Sequence, residues 1–178
     1  MANVTFNVES GKTIDRASMV ALLNVGTSEA PEWSPVGKRA ADSSVEFDWG
    51  NETTQDILGG VYTSKKKPVK TQSFDPWTLS GGDKAQEKLI QLVVVDEDVQ
   101  TLSNMDMMIV HNYIKRGDVT GYFAVRYPNT SIDVTRLGGA GGGNLEIAVS
   151  VTYGGERSKG TASKDESGVW VFTPDVSV

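Results

Sequence analysis

"LGGAGGGNLEIAVSVTYGG", residues 137–155, sets five glycines in its first eight positions against an alternating run that comes directly after them. A phosphate cradle needs its glycines to open a helix whose N-terminal amides face the anion. The run beyond Asn144 is not helical: Leu145, Ile147, Val149 and Val151 alternate with Glu146, Ala148, Ser150 and Thr152. That period of two marks a strand with one buried face. The glycine spacing fails both the P-loop and the dinucleotide templates, so the loop reads as a supple connection between two strands. The sequence speaks of architecture before chemistry.

Composition agrees. The 178 residues suit one domain, 1–178, large enough to bury a core without covalent help. With no cysteine, disulfides and thiolate metal sites are out of reach. The opening "MANVTFNVESGK" shows no basic start followed by an apolar run, so no secretory signal is expected. No apolar stretch is long enough to cross a membrane as a helix. Without a secretory route the Asn-X-Ser/Thr matches at Asn3, Asn51 and Asn129 say nothing about glycans. Seventeen basic against 23 acidic residues give a net charge of −6, which argues against a protein built to grip nucleic-acid phosphates. Nineteen glycines with 38% hydrophobic residues suit a folded, turn-rich, mainly β chain.

Outward from the opening stretch, the same alternation recurs. Val4, Phe6 and Val8 alternate with polar residues, and "SMVALLNVG" is a second apolar run, so both read as strands. Pro31, Pro35 and Gly37 break the segment from Ser28 to Ala41, which Trp33 and Val36 pin to the core. In "SSVEFDWGN" Val45, Phe47 and Trp49 share one face, and Glu46 and Asp48 the other, wet and acidic face. "TTQDILGGVYTSKKKPVKTQSF" reads as a strand, a basic tip at Lys65, Lys66, Lys67 and Lys70, and a returning strand, with Pro68 excluding a sheet centre. One segment breaks the pattern. Ala85, Leu89, Leu92 and Val93 form a helical stripe over about residues 83–95, with Asp83 as cap, Gln86 reaching back and Glu87 beside the positive helix end. "MDMMIVHNYI", "GYFAVRY" and "TSIDVTRL" then read as three strands with "RGD" and "YPN" as turns. "GVWVFTP" closes the chain after a polar, mobile stretch from Gly154 to Gly168.

Chemistry is sparse. His111 is the sole histidine, so a triad or imidazole-based metal site would have to be built on it. Its place in a strand pattern favours a packed, hydrogen-bonded ring. Asp96, Glu97 and Asp98 lack the glycine and terminal glutamate of a twelve-residue calcium loop and read as a solvated turn. Arg116-Gly117-Asp118 reads as a turn, and Trp33, Trp49, Trp77 and Trp170 suit a core better than a sugar platform. No catalytic, cofactor-binding or metal-ligating constellation emerges, and no enzyme is expected.

The order of the pieces resembles a known family. "PEWSPVGKRAADSSVEFDWGNETTQDILGGVYTSKKKPVKTQSFDPW", a glycine-opened amphipathic helix, and "YFAVRYPNTSIDVTRLGGAGGGNLEIAVSVTYGGERSKGT" together resemble the major tail tube proteins of long-tailed bacteriophages over Val8 to Thr161. The resemblance implies a β-sandwich or barrel with one flanking helix; some members carry an extra C-terminal immunoglobulin-like domain, which is not expected in this sequence, whose last residue, Val178, comes soon after the sandwich. It also implies hexameric rings stacked into a tube for DNA ejection, without enzyme or cofactor. The partners implied are copies of itself, the tape measure and tail terminator, and DNA in transient, non-specific passage; no membrane binding is implied. The location implied is the virion tail, reached from the host cytoplasm.

On that footing Lys65, Lys66, Lys67 and Lys70 are expected on a loop that reaches a neighbouring subunit, against an acidic face. A conduit should repel its cargo weakly, so Glu46 and Asp48, or Glu146, are the acids expected at the bore. The rival expectation is a monomeric β-sandwich that binds carbohydrate through exposed tryptophans.

Overall fold

The computed structural model describes residues 4–116 and 120–175. Eleven strands dominate: β1 (Met19–Asn24), β2 (Trp33–Pro35), β3 (Ser43–Asp48), β4 (Glu52–Gln55), β5 (Val61–Ser64), β6 (Val69–Thr78), β7 (Met105–His111), β8 (Tyr122–Gly138), β9 (Glu146–Tyr153), β10 (Ser158–Lys164) and β11 (Trp170–Pro174). A helix α1 (Lys84–Ile90) runs into a π-helical turn, Gln91–Val95, and a short α2 (Val99–Leu102) comes next. The fold is mainly β with one flanking helix, as expected from the alternation.

Strand β8 organises the molecule. Its first half pairs with β7 on one side and β10 on the other, and its second half pairs with β9. The order β8-β7-β1-β2-β11-β10 returns to β8 and closes a small barrel, with β11 and β2 joined through the single pair Trp170↔Trp33. The order β8-β9-β6-β3 forms a second, four-stranded layer. Two cores result. Leu22, Trp33, Met108, Val110, Ala124 and Ala162 fill the barrel. Ala21, Leu23, Met107 and Ile109, on the opposite faces of β1 and β7, join Phe74, Trp77, Ile132, Val149 and Val151 of the second layer. Strands buried on both faces read as continuous apolar runs, and "VALL" and "MMIV" do so for that reason.

The helix bridges the layers. Ala85, Leu89 and Leu92 are buried in the larger core, Gln86 Nε2 donates to the Thr78 carbonyl at the end of β6, and Lys88 Nζ donates to the Asn24 carbonyl at the end of β1. Asp83 caps α1 by accepting from Gln86 N–H at 3.2 Å, and Gln86 Oε1 accepts from Ser80 N–H at 2.7 Å.

Several expectations need correction. The N-terminal alternation makes only an isolated bridge, Phe6↔Ile114, because its partner segment offers a turn and not a strand edge. "YPN" is no turn: β8 continues through Pro128, and the register slips there, between Met105 and Met107 of β7, where the strand leaves one layer for the other. The stretch from Gly154 to Gly168 contains β10, whose small residues pack where larger ones would not fit. A Cβ on Gly160 would meet the Thr173 carbonyl oxygen first and then, at 2.7 Å, the Phe172 ring. The glycine loop does join two strands, β8 and β9.

The lysine run is not a tip. Strands β4 and β5 form a separate two-stranded ribbon that turns at Asp56–Gly60, and the lysines connect its base to β6. The Gly59-Gly60 pair makes that turn possible, with Gly59 at φ +83°. Of the RGD motif, Gly117 and Asp118 lie outside the described residues, as does Asn3; Arg116 ion-pairs with Asp175.

Candidate assembly surfaces

The ribbon β4–β5 is the most conspicuous surface. Every residue of both strands is exposed, and the apolar tip residues Ile57 and Leu58 are exposed to 102% and 90%. The tip is nonetheless well formed. Asp56 Oδ1 accepts from Leu58 N–H and Gly60 N–H at 2.8 Å each, and the Asp56 N–H donates to the Gly60 carbonyl at 2.9 Å. These N–H donors, with the Tyr62 hydroxyl, hold the Asp56 carboxyl below the usual carboxylate range. A lone hairpin is marginal in water, and fully exposed aliphatic side chains on a projecting arm mark a contact surface.

The lysines hold the arm at its base. Lys66 N–H donates to the Trp49 carbonyl at 3.1 Å, and its ammonium pairs with Glu52. Lys65 Nζ stands 5.9 Å from the Trp49 ring centre, and Lys70 Nζ 5.6 Å from that of Phe47. Phe47 and Trp49 stack with centroids 6.4 Å apart; both are about half exposed, where alternation alone would have buried them. Lys70 turns inward and donates to the Tyr127 hydroxyl at 2.7 Å. With Lys67, Arg157 and Tyr153 it lines a cavity of about 410 Å3 beneath the arm. The four lysines therefore divide between bracing the arm and a basic cavity, and the apolar tip is the feature that the charge run conceals. "DILGG" carries its signal, since two glycines after an aspartate mark a turn and leave the intervening Ile-Leu at its crest.

The second surface is the outward face of the β8-β9-β6-β3 layer. The register aligns Glu46 with Thr71, Thr71 with Thr152, and Thr152 with Ser131; one pair along, Ser44, Ser73, Ser150 and Asp133 align in the same way. Glu46, Asp48 and Glu146 therefore share one face with Asp133, as alternation anticipates for each strand separately. The cation Arg136 joins them through the bulge in β8, where it pairs with Ala148. This face is small, polar and predominantly acidic, whereas the other face of the same strands is buried core.

The remaining candidates are structural. His111 Nδ1 lies 2.9 Å from the Tyr113 hydroxyl, and the ring stacks on Phe123. Burial, aided by the nearby Lys70 ammonium, lowers its pKa to about 4. Asp98 caps α2 by accepting from Thr101, which holds its carboxyl below the ordinary range, and Asp96 accepts from Gln91 Nε2. Arg126 forks onto Asp106 at 2.9 and 2.7 Å, which raises the guanidinium pKa, and Asp106 also accepts from Asn24. Burial lowers the pKa of Lys88, whose ammonium donates to the Asn24 and Gly26 carbonyls. Gly11-Lys12-Thr13 sits in exposed N-terminal coil and not at a strand-to-helix turn. Trp33 and Trp77 are buried, so neither offers a sugar platform. Among the described residues no helix is long and apolar enough to cross a membrane.

No protein-family model matches the sequence. Among solved structures, the sheath/tube terminator of an extracellular contractile injection system, PVC, in the extended state superposes with a TM-score of 0.52 at 9% identity, over 85% of this chain and 99% of that one. A chain of the PVC sheath-tube complex gives 0.49 at 8% identity over 85% and 94%, and the anti-feeding prophage tube-terminating cap gives 0.48 at 12% over 88% and 96%. The first of these defines a shared fold that spans most of this chain and essentially the whole of the other.

Proposed function

We propose that this chain is a structural subunit of a phage-type tail, which assembles with copies of itself into stacked, six-membered rings that form a tube for DNA ejection. The observation that carries the reading is a match in fold to a sheath/tube terminator over most of this chain and essentially the whole of the other, in a molecule whose projecting arm exposes apolar residues. In this reading the arm reaches a neighbouring copy, and the acidic face with Glu46, Asp48 and Glu146 looks into the bore. A tape measure and a terminator complete the tail, assembly takes place in the host cytoplasm, and the chain carries no enzymatic activity. Negative-stain electron microscopy and sedimentation of the purified protein test the reading. Rings or tubes are the expected result; a monomer that persists at high concentration, above all one that retains a glycan, would overturn it.

A further inference from the structure

The exposed arm tip has a counterpart at the far end of the strand pair that carries it. Strands β3 and β6 run antiparallel from Ser43↔Phe74 to Asp48↔Val69, and the arm continues from the latter end. Beside the former end lies a cavity of about 490 Å3, floored by Met19, Ala21, Val36 and Phe74 and open at Ala17 and Ala41. Its lining is the most strongly apolar of the four cavities compared. The cavity below the arm is basic, and the one beside α1 is rimmed by Glu32, Lys84, Glu87 and Lys88.

We infer that this cavity receives the Ile57–Leu58 tip of a second copy. Three observations carry the match. The tip presents two aliphatic side chains on a turn already fixed by Asp56, so little ordering remains to be done on docking. The charges complement. Among the described residues Asp56 faces only N–H and hydroxyl donors, while the cavity lining carries two cations, Lys38 and Arg16, the latter donating to the Ser43 and Met19 carbonyls, against the single carboxylate of Asp42. The topology forbids self-docking by a straight arm, since β3 leads away from the cavity for about 17 Å before the arm begins, at ~3.4 Å per residue. Tip and cavity are different patches of one molecule, so the contact is head-to-tail and propagates, closing as a ring or continuing as a filament. The inference rests on the self-assembly proposed above and names the surfaces that perform it.

The chain lacks cysteine, which makes the test clean. Leu58→Cys combined with Ala17→Cys, or with Ala41→Cys, should give under oxidation a ladder of covalent oligomers that dithiothreitol collapses, and each single variant should give none. Separately, Leu58→Ser at the tip and Ala17→Trp at the mouth change exposed positions and should leave the circular dichroism of the monomer unchanged. Each should raise the concentration needed for assembly roughly tenfold or more, as expected when one buried aliphatic contact is lost. Wild-type tubes with no ladder from either double variant, or unimpaired assembly by both Leu58→Ser and Ala17→Trp, would overturn the pairing while sparing self-assembly. A wild-type chain that never assembles would overturn both.

Discussion

His111 shows what burial does to a single side chain. Its ring is packed between Tyr113 and Phe123, and its folded pKa of about 4 lies below the 6.5 of an exposed imidazole. At neutral pH both folded and unfolded chains carry it uncharged, and it contributes nothing to pH dependence. As pH falls through 6.5 the unfolded chain takes up a proton that the folded chain refuses, so stability is lost progressively until about pH 4, by up to about 3 kcal/mol. Denaturant unfolding at pH 7 and pH 4.5 should show this loss, and His111→Phe should flatten it; an unchanged slope in that variant would place the acid sensitivity elsewhere. The sequence foretells a packed histidine because Val110 precedes it in a strand pattern. It cannot foretell the neighbour Lys70, which arrives from a strand 41 positions earlier in the chain.

Among the elements, the helix is the most legible. A stripe at i, i+4 and i+7 with an aspartate before it fixes both the face and the start of a helix, and Asp83, Ala85, Leu89 and Leu92 take those places. Leu89 is fully buried between the two layers, so Leu89→Ala should cost about 2–5 kcal/mol in monomer unfolding; a near-neutral result would mean that this face is not a core. Strand β10 is illegible, since "SKGTASK" has neither bulk nor alternation, and its place is set by the close approach of β8 and β11 on either side. Gly160→Val should therefore destabilise by about 1–3 kcal/mol through overpacking against the Thr173 carbonyl and the Phe172 ring, readable as a lowered urea midpoint. The bend in β8 is hidden for a related reason. Pro128 signals a break in pairing, but only the tertiary fold decides that the strand resumes in another layer. The arm is legible as a strand-turn-strand unit but not for its crest, because a run of charge is more visible in a sequence than two glycines.

At the scale of the molecule, charge becomes the question. In the proposed assembly a ring of six copies, each at −6, would carry six times that charge, −36 in all, and the fold sorts part of it onto one face: Glu46, Asp48, Asp133 and Glu146 against Arg136. The alternation of each strand tells which residues share a side; only the register shows that β3, β8 and β9 turn their acids the same way. DNA presents one phosphate charge per ~1.7 Å of axis, so a basic wall would hold it and stall its passage. Repulsion from an acidic wall is screened over roughly 8 Å at physiological salt, which confines it to DNA near the wall and centres the duplex without a large barrier to entry. The cations of Lys67, Lys70 and Arg157 gather instead beneath the arm, away from this face. Glu46→Lys with Asp48→Lys should then preserve assembly, because both side chains are exposed, and should slow DNA ejection from tails built of the variant. The slowing should shrink as salt is raised, since it comes from charge and not from shape. Ejection at the wild-type rate, or a tube reconstruction whose bore is lined by the basic cavity and not by this face, would defeat the mechanism.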